Sequence, residues 1–208
     1  MPKVNEQYEA ARRQLIVDAA ARCFTRSGYE GTSVDDVCRE AGMSKGGLYT
    51  YFKSKEQLFA AVCAAHWAAG FSQMATGLEA QPNAQARLEV MGQAAFTRLG
   101  DDPRSTVELA RMSLAVWNEV ARNPETQAIT RAGYEAWCAA LEDAIGRGKQ
   151  DGEIGADLDA HMLALVLIAV FDGLQVLTAV KGEPPDLEQF RQTFMRVIQG
   201  GIFRAQAN

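Results

Sequence analysis

The sequence predicts an all-α protein of nine helices, on three observations. Apolar residues recur at a spacing of four along the first segment, as Leu15, Ala19 and Cys23 illustrate, and this spacing places them on one face of a helix. Proline and glycine divide the chain at positions suited to helix ends. No segment shows the alternation of apolar and polar residues that is typical of a half-buried β-strand.

Start and stop signals set the expected helix boundaries. Serine, asparagine or aspartate precedes several apolar segments, and Pro103 and Pro124 each stand at a first helical position. Asp157 is the expected cap of the eighth helix. The expected helices cover residues 8–27, 33–41, 44–52, 54–78, 83–99, 103–122, 124–150, 157–181 and 187–204.

Residues 32–52 form the most informative segment, because they predict two short helices joined by a three-residue turn. Ser33 and Asp36 have the spacing of a capping box, in which each side chain satisfies a free backbone N–H group. Gly42 can adopt the left-handed conformation that ends a helix, and Ser44 can cap the next one. Two helices with such a turn are typical of a helix-turn-helix motif.

The second of these helices has an outer face that packing does not explain. Leu48 and Phe52 lie four apart and share the inner face, which leaves other residue types outside. A cation, tyrosines and bare glycine backbone are suited to contacting phosphates and base edges in a DNA major groove. The alternative from the residues alone is a solvated helical hairpin of any all-α protein.

The segment from Phe24 to Phe59, which contains GYEGTSVDDVCREAGMSKGGLYTYFKSKEQLF, resembles the DNA-binding domain of the TetR (tetracycline-repressor-like) transcriptional regulators. The resemblance implies a helix-turn-helix domain over 1–54 and a helical ligand-binding and dimerisation domain over 55–208. At Gly47 the sequence departs from the larger residue that is common in the family. By the resemblance, the residues that meet DNA are Thr32, Ser33, Lys45, Gly46, Tyr49, Thr50, Tyr51 and Lys55.

The C-terminal part is more weakly similar to the subgroup that contains choline-responsive repressors. The similar stretches are Trp117-Asn118-Glu119, Gly152-Glu153 and Asp172-Gly173-Leu174. Aromatic and methionine side chains on these helices are either core residues or the lining of a ligand site, which could be an aromatic cage for a quaternary ammonium or a site for an apolar inducer. The candidate ligand-binding residues are Trp67, Phe71, Met74, Met91, Phe96, Arg111, Trp117, Asn118, Tyr134, Trp137 and Asp172.

Charge and composition limit the other functional classes. The net charge is −5, but residues 1–60 carry nine Lys+Arg against eight Asp+Glu, so the acidic excess lies in the remainder. DNA affinity must therefore come from a few placed cations. The four cysteines are scattered and only two histidines are present, so we expect reduced buried thiols, no metal, no cofactor and no catalytic arrangement. No export signal is recognised, which predicts a cytoplasmic protein.

The last two helices are expected to form a homodimer interface. Residues 162–171 are apolar throughout but too few to span a membrane, and the final helix presents Phe190, Phe194 and Ile198. Broad apolar surfaces on two adjacent helices favour a two-fold four-helix contact, with a monomer core as the alternative. The predicted protein is a homodimeric repressor of a palindromic operator, released by a small-molecule inducer. The alternative function is an activator or a non-transcriptional DNA-binding protein of the same fold.

Overall fold

A computed structural model of the chain describes residues 2–75, 81–97 and 103–201. Nine helices lie within these ranges, which confirms the all-α class, and the expected ends of three of them (76–78, 98–99 and 202–204) fall outside the described residues. The helices are α1 (Pro2–Ser27), α2 (Val34–Ala41), α3 (Lys45–Tyr51), α4 (Lys55–Ala75), α5 (Ala84–Thr97), α6 (Pro103–Val120), α7 (Pro124–Gln150), α8 (Ala160–Lys181) and α9 (Leu187–Gly201).

The capping residues act largely as the sequence predicts. Ser33 and Asp36 form the reciprocal capping box of α2, and Gly42 ends this helix with φ of 63°. The cap of α8 is a correction. Asp159, and not Asp157, accepts a hydrogen bond from the backbone N–H of Met162 at 2.8 Å, so the helix begins later than expected.

The chain divides into two compact units. The N-terminal unit contains Met1–Ala68 and Arg111–Arg131, and the C-terminal unit contains Ala69–Ala110 and Ala132–Asn208. Helices α4, α6 and α7 each contribute residues to both units. Part of the later chain therefore belongs to the same compact unit as the helix-turn-helix segment.

Three aromatic rings form the centre of the N-terminal unit. The ring of Phe59 on α4 lies 5.1 Å from that of Phe24 on α1 and 4.8 Å from that of Tyr29, both in edge-to-face geometry. Such pairs contribute about 0.5–1.5 kcal/mol each beyond the apolar area that they bury. Leu48 and Phe52, fully buried, join α3 to the same core.

Helix α1 also makes polar contacts with α2 and with the end of α3. The Arg22 guanidinium donates to the carboxylate of Glu40 on α2 at 2.7 Å. The Arg13 guanidinium donates to the backbone carbonyl of Tyr51 at 3.1 Å and lies 4.2 Å from the centre of the Phe52 ring. The Arg13 guanidinium therefore restrains the end of α3 by two contacts, a hydrogen bond to the Tyr51 carbonyl and a cation–π contact with the Phe52 ring.

In the C-terminal unit, α5 and α7 approach each other closely. A Cβ atom on Gly148 would lie 2.4 Å from the Cβ of Ala84, so only glycine fits at this crossing. The backbone N–H of Ala84 donates to the Glu153 carboxylate at 2.8 Å, which caps α5 from a distant part of the chain. All four cysteines of the chain are buried free thiols, as the sequence predicts.

Helix α8 is the one described helix that is long and apolar enough, by length and composition alone, to cross a membrane. Core helices of soluble proteins meet the same criterion. Near its middle the half-buried Asp172 accepts a hydrogen bond from the hydroxyl of Tyr134 on α7 at 2.7 Å. A carboxylate tied to a neighbouring helix fits packing inside a protein better than exposure to lipid.

A buried carboxylate lies at the end of α6 in the N-terminal unit. Glu119 is 4 % exposed, and its Oε1 atom has no hydrogen-bond partner among the described residues. Burial, helped by the negative charge of Glu30, raises the pKa of Glu119, while Arg122 opposes the rise. A raised folded-state pKa means that folding favours the protonated acid, so this group costs stability as the pH rises from about 4.5 through the folded-state pKa.

We therefore expect Glu119→Gln to raise the melting temperature at pH 7.5. A gain of about 1 kcal/mol corresponds to roughly 2–4 °C for a chain of this size. The gain should disappear as the pH falls towards 4.5, because wild-type Glu119 is then protonated. Thermal unfolding followed by circular dichroism across this pH range measures the effect, with the exposed Glu125→Gln as control. An equal or lower melting temperature for Glu119→Gln at pH 7.5 would contradict the assignment.

Candidate functional site

The outer face of α3 is an exposed part of the helix-turn-helix segment. Leu48 is the one buried residue of this seven-residue helix, whereas Lys45, Gly46, Tyr49 and Thr50 are exposed. A Cβ atom on Gly46 would meet nothing within 4 Å, so the backbone here lies open at the surface. Four of the residues that the sequence predicts as DNA contacts are thus brought together on one exposed face.

Lys45 is held at the surface by a carboxylate of α2. Its ammonium donates to Asp35 at 3.1 Å, and both side chains remain more than half exposed. The hydrogen bond and negative charge of Asp35 raise the pKa of Lys45. Because exposed ion pairs contribute little to stability, a phosphate or base edge can replace Asp35 as the partner of this cation.

Two further lysines follow α3. Lys53 donates through Nζ to the carbonyl of Tyr49 at 3.1 Å, at the C-terminal end of the helix. Lys55 is half-buried, and its Nζ lies 4.2 Å from the centre of the Tyr29 ring. Ser54 accepts from the backbone N–H of Gln57, which caps the start of α4 as predicted. Lys55 therefore stands in the first turn of a helix, where a phosphate is also favoured by the helix dipole.

The remaining predicted contacts have partners inside the domain. Thr32 is buried, and its hydroxyl donates to the carbonyls of Gly28 and Cys23. Ser33 is exposed, but its side chain is engaged in the capping box. Tyr51 is half-buried, and its hydrogen bond to Glu9 raises its pKa. These residues support the position of α2 and α3 whether or not they also meet DNA.

Gly47 has a local structural explanation. A Cβ atom at this position would lie 3.3 Å from the Met43 methyl carbon and 3.4 Å from the Ser44 hydroxyl oxygen. These contacts are tight, so a larger residue requires the Met43 side chain to shift. Glycine at position 47 therefore leaves room for the Met43 side chain beside the start of α3.

In the C-terminal unit, three predicted ligand residues form one cluster. Tyr134, Trp137 and Asp172 are joined by the hydrogen bond between the Tyr134 hydroxyl and the Asp172 carboxylate and by ring stacking at 6.4 Å between Tyr134 and Trp137. Phe171, which the sequence did not single out, meets the Trp137 ring edge-on at 5.2 Å. We call Tyr134, Trp137, Phe171 and Asp172 the aromatic cluster. Burial raises the pKa of Asp172, against the lowering effect of the Tyr134 hydrogen bond.

A small apolar cavity of about 50 Å³ adjoins the aromatic cluster. Of the predicted ligand residues, Met91 and Trp137 line it. Sequence reasoning missed the other lining residues, because apolar spacing identifies a buried face but not the positions where packing leaves a void. These are Leu88, Gly92, Leu141, Leu167, Val170, Phe171, Phe194 and Ile198.

The other predicted ligand residues are not brought into this cluster. Trp67, Arg111, Trp117 and Asn118 belong to the N-terminal unit, and Arg111 and Asn118 are exposed. Their assignment to a ligand site stays a prediction. The side chains of Phe71, Met74 and Phe96 lie outside the described residues.

The N-terminal and C-terminal parts of the chain each match a known protein family. Residues 16–62 match the bacterial regulatory proteins of the tetR family, and residues 84–202 match the C-terminal region of BetI-type transcriptional repressors. The chain belongs to the TetR family, with a C-terminal part of the BetI type. The resemblance inferred from the helix-turn-helix residues is confirmed.

Individual relatives agree over nearly the whole length of this TetR-family chain. An HTH-type transcriptional repressor of Mycobacterium tuberculosis is 28% identical over 186 residues, which cover 89% of this chain and 91% of the relative. The HTH-type transcriptional regulator BetI of Burkholderia mallei is 28% identical over 194 residues, with coverage of 89% and 90%. A transcriptional regulator from Saccharomonospora viridis, solved in complex with choline, is 25% identical with a TM-score of 0.82 and coverage of 94% and 100%. The chain is a transcriptional repressor of the TetR/BetI type.

The exposed face of α3 predicts which substitutions weaken DNA binding. Lys45→Ala and Tyr49→Ala should each reduce affinity for a duplex selected by the wild-type protein, without loss of the fold, since neither side chain is buried. The loss of one good base contact costs about 1–3 kcal/mol, or roughly 5–150-fold in affinity. Fluorescence anisotropy at fixed salt measures the change.

Two variants make this test specific. Asp35→Asn removes the partner of Lys45 and should leave affinity unchanged or increased, and Lys181→Ala, at the distant end of α8, should have no effect. Wild-type affinity in both Lys45→Ala and Tyr49→Ala would exclude the outer face of α3 as the recognition surface.

Proposed function

We propose that this repressor binds a palindromic operator as a homodimer in the cytoplasm and is released from it by a small-molecule inducer, without enzymatic turnover. The observation that carries the proposal is the outer face of α3, which presents a cation, a phenol and open glycine backbone on a helix anchored through Leu48 and Phe52. This combination suits insertion of α3 into a major groove. Affinity then rests on few cations in an acidic chain, so binding should depend strongly on salt.

An apolar stripe on α8 supports a homodimer. Met162, Val166, Leu177 and Val180 are each more than half exposed and recur at helical spacing along one side of the helix. Val197 on α9 is also largely exposed. A second copy of the chain would bury this stripe against its own counterpart. A palindromic operator requires the two recognition helices of such a dimer to reach major grooves about 34 Å apart.

The structure changes which residues of α9 suit the interface. Ile198, predicted from sequence to face the partner, is 4 % exposed and lines the cavity with Phe194. A charge at Ile198 would therefore disrupt the packing of its own chain. Val197 offers the outward-facing side chain next to it.

We expect the double substitution Val166→Glu and Val180→Glu to convert a dimer into monomers at micromolar concentration. Each buried valine contributes about 1.5–3 kcal/mol, and two-fold symmetry counts every position twice. Sedimentation equilibrium measures the change, with Ala136→Glu, an exposed position on α7, as the control. An unchanged dimer in the double variant would place the interface elsewhere, and a monomeric wild type would exclude the proposal.

The aromatic cluster supports a quaternary ammonium as the inducer. Tyr134, Trp137 and Phe171 offer ring faces and edges, and the half-buried carboxylate of Asp172 offers a negative charge. A bound cation would stabilise the ionised form of Asp172, which burial alone disfavours. The S. viridis relative contains choline, a ligand of this class. The existing cavity has room for no more than a few water molecules, so the rings must move to admit such a ligand.

A second inducer class is favoured by the cavity itself. Its lining consists of aliphatic, aromatic and methionine side chains with one glycine, and neither Asp172 nor the Tyr134 hydroxyl is among them. Such a lining suits an apolar ligand that expands the cavity.

We expect choline to weaken operator binding and operator to weaken choline binding by the same factor, because linkage between two sites is reciprocal. The typical factor is about 5–150-fold. Asp172→Asn should abolish choline binding and keep operator affinity, whereas Tyr134→Phe, which retains the ring and the carboxylate, should keep both. Calorimetric titrations with and without operator duplex measure the two affinities.

The outcomes separate the candidate inducers. Choline affinity that is unaffected by operator would exclude choline as an inducer. Release by a medium-chain fatty acid, with no effect of choline, would favour the apolar class and leave the DNA-binding part of the proposal intact.

A further inference from the structure

Three potential metal ligands meet at the contact between α7 and α8. The Cys138 thiol donates to the Glu142 carboxylate at 3.1 Å, Nδ1 of His161 lies 2.7 Å from the same oxygen, and the sulfur lies 3.7 Å from Nδ1. Within the described part of the chain this is the group of three sulfur, nitrogen and oxygen donors close enough together to share an ion. The function described above makes no use of it.

The helices present these side chains towards one point. Cys138 and Glu142 are four residues apart on α7 and therefore lie on the same side of that helix. His161 stands in the first turn of α8, which the Asp159 cap fixes. The sulfur side is buried, whereas the His161 side chain is 59% exposed, so an ion can enter from solvent.

We propose that Cys138, Glu142 and His161 form a three-ligand site for Zn²⁺, with the fourth position open to water or a further ligand. Tetrahedral zinc with ordinary bond lengths separates such donor atoms by about 3.3–3.6 Å. The three distances must each change by well under 1 Å to reach this arrangement, which side-chain rotation alone can supply.

The donor set selects the class of ion. One thiolate, one imidazole and one carboxylate suit a borderline ion such as Zn²⁺, whereas Mg²⁺ and Ca²⁺ prefer oxygen donors alone. The thiolate and the carboxylate together supply two negative charges, which match the charge of the ion. Zinc binds the thiolate and not the thiol, so binding of the ion to Cys138 releases the thiol proton.

A zinc ion bound at this site would link the beginning of α8 to the middle of α7 through its protein ligands. Cys138 follows Trp137 directly, and α8 also carries Asp172. A bound ion would therefore stabilise the two helices that build the aromatic cluster. The competing account is a hydrogen-bonded group that joins the helices without an ion.

Co²⁺ titration of the reduced, full-length protein, purified without a polyhistidine tag, tests the proposal. We expect a thiolate-to-cobalt charge-transfer band and visible bands of tetrahedral intensity that saturate at one ion per chain and disappear when Zn²⁺ is added. Zn²⁺ should also raise the melting temperature, because it binds the folded chain.

The decisive variant is His161→Ala, since this side chain is exposed and its removal leaves the core unchanged. It should lower zinc affinity at least about tenfold and remove the melting shift, while His66→Ala, at the other histidine of the chain, should retain both. Cys138→Ser should remove the charge-transfer band. The absence of that band in the wild type, or equal zinc affinity in the two histidine variants, would overturn the proposal in favour of the hydrogen-bonded group.

Discussion

The contact of the Phe59 ring with the rings of Phe24 and Tyr29 is the interaction on which the positions of α2 and α3 depend. A seven-residue helix such as α3 is not stable by itself, because helix nucleation is unfavourable and few backbone bonds follow it. Its two anchors, Leu48 and Phe52, have a surface to pack against only because the aromatic rings hold α1 and α4 together. The exposed outer face of α3 therefore depends on a core formed by the neighbouring helices.

Neighbouring residues of this segment have different roles, because some anchor α3 and others are exposed. The buried anchors Leu48 and Phe52 leave the side of α3 that carries Lys45, Gly46 and Tyr49 exposed, so these residues are accessible for recognition. Arg13 has the opposite role, since its contacts with the Tyr51 carbonyl and the Phe52 ring restrain the end of the helix. The chain as a whole is acidic, so the position of each cation matters more for DNA contact than the total charge.

Capping residues and apolar spacing predicted the helices well, because they act within a few residues of the chain. The candidate sites were harder to predict, because they depend on contacts between residues far apart in sequence. Ser33, Asp36 and Gly42 fix the ends of α2 through interactions within a few residues, so the sequence contains what is needed. Asp157 lies in a turn in which the backbone N–H of Leu158 donates to the Gly155 carbonyl, and Asp159 caps α8 instead. The approach of His161 to Cys138 could not be predicted, because it depends on how α7 and α8 are rotated against each other.

The ligand-dependent release proposed above has a physical route in α7, because this helix contributes residues to both compact units. Ile129 packs against the core of the N-terminal unit, and Trp137 lies eight residues later in the C-terminal unit. Eight residues of one α-helix span about 12 Å, with an unbroken ladder of backbone hydrogen bonds between them. A movement of the α7 backbone at Trp137 must either displace the Ile129 end or break the ladder, and broken backbone bonds are costly when buried. Displacement is therefore the cheaper response, and it reaches the same core that holds Leu48 and Phe52 in place.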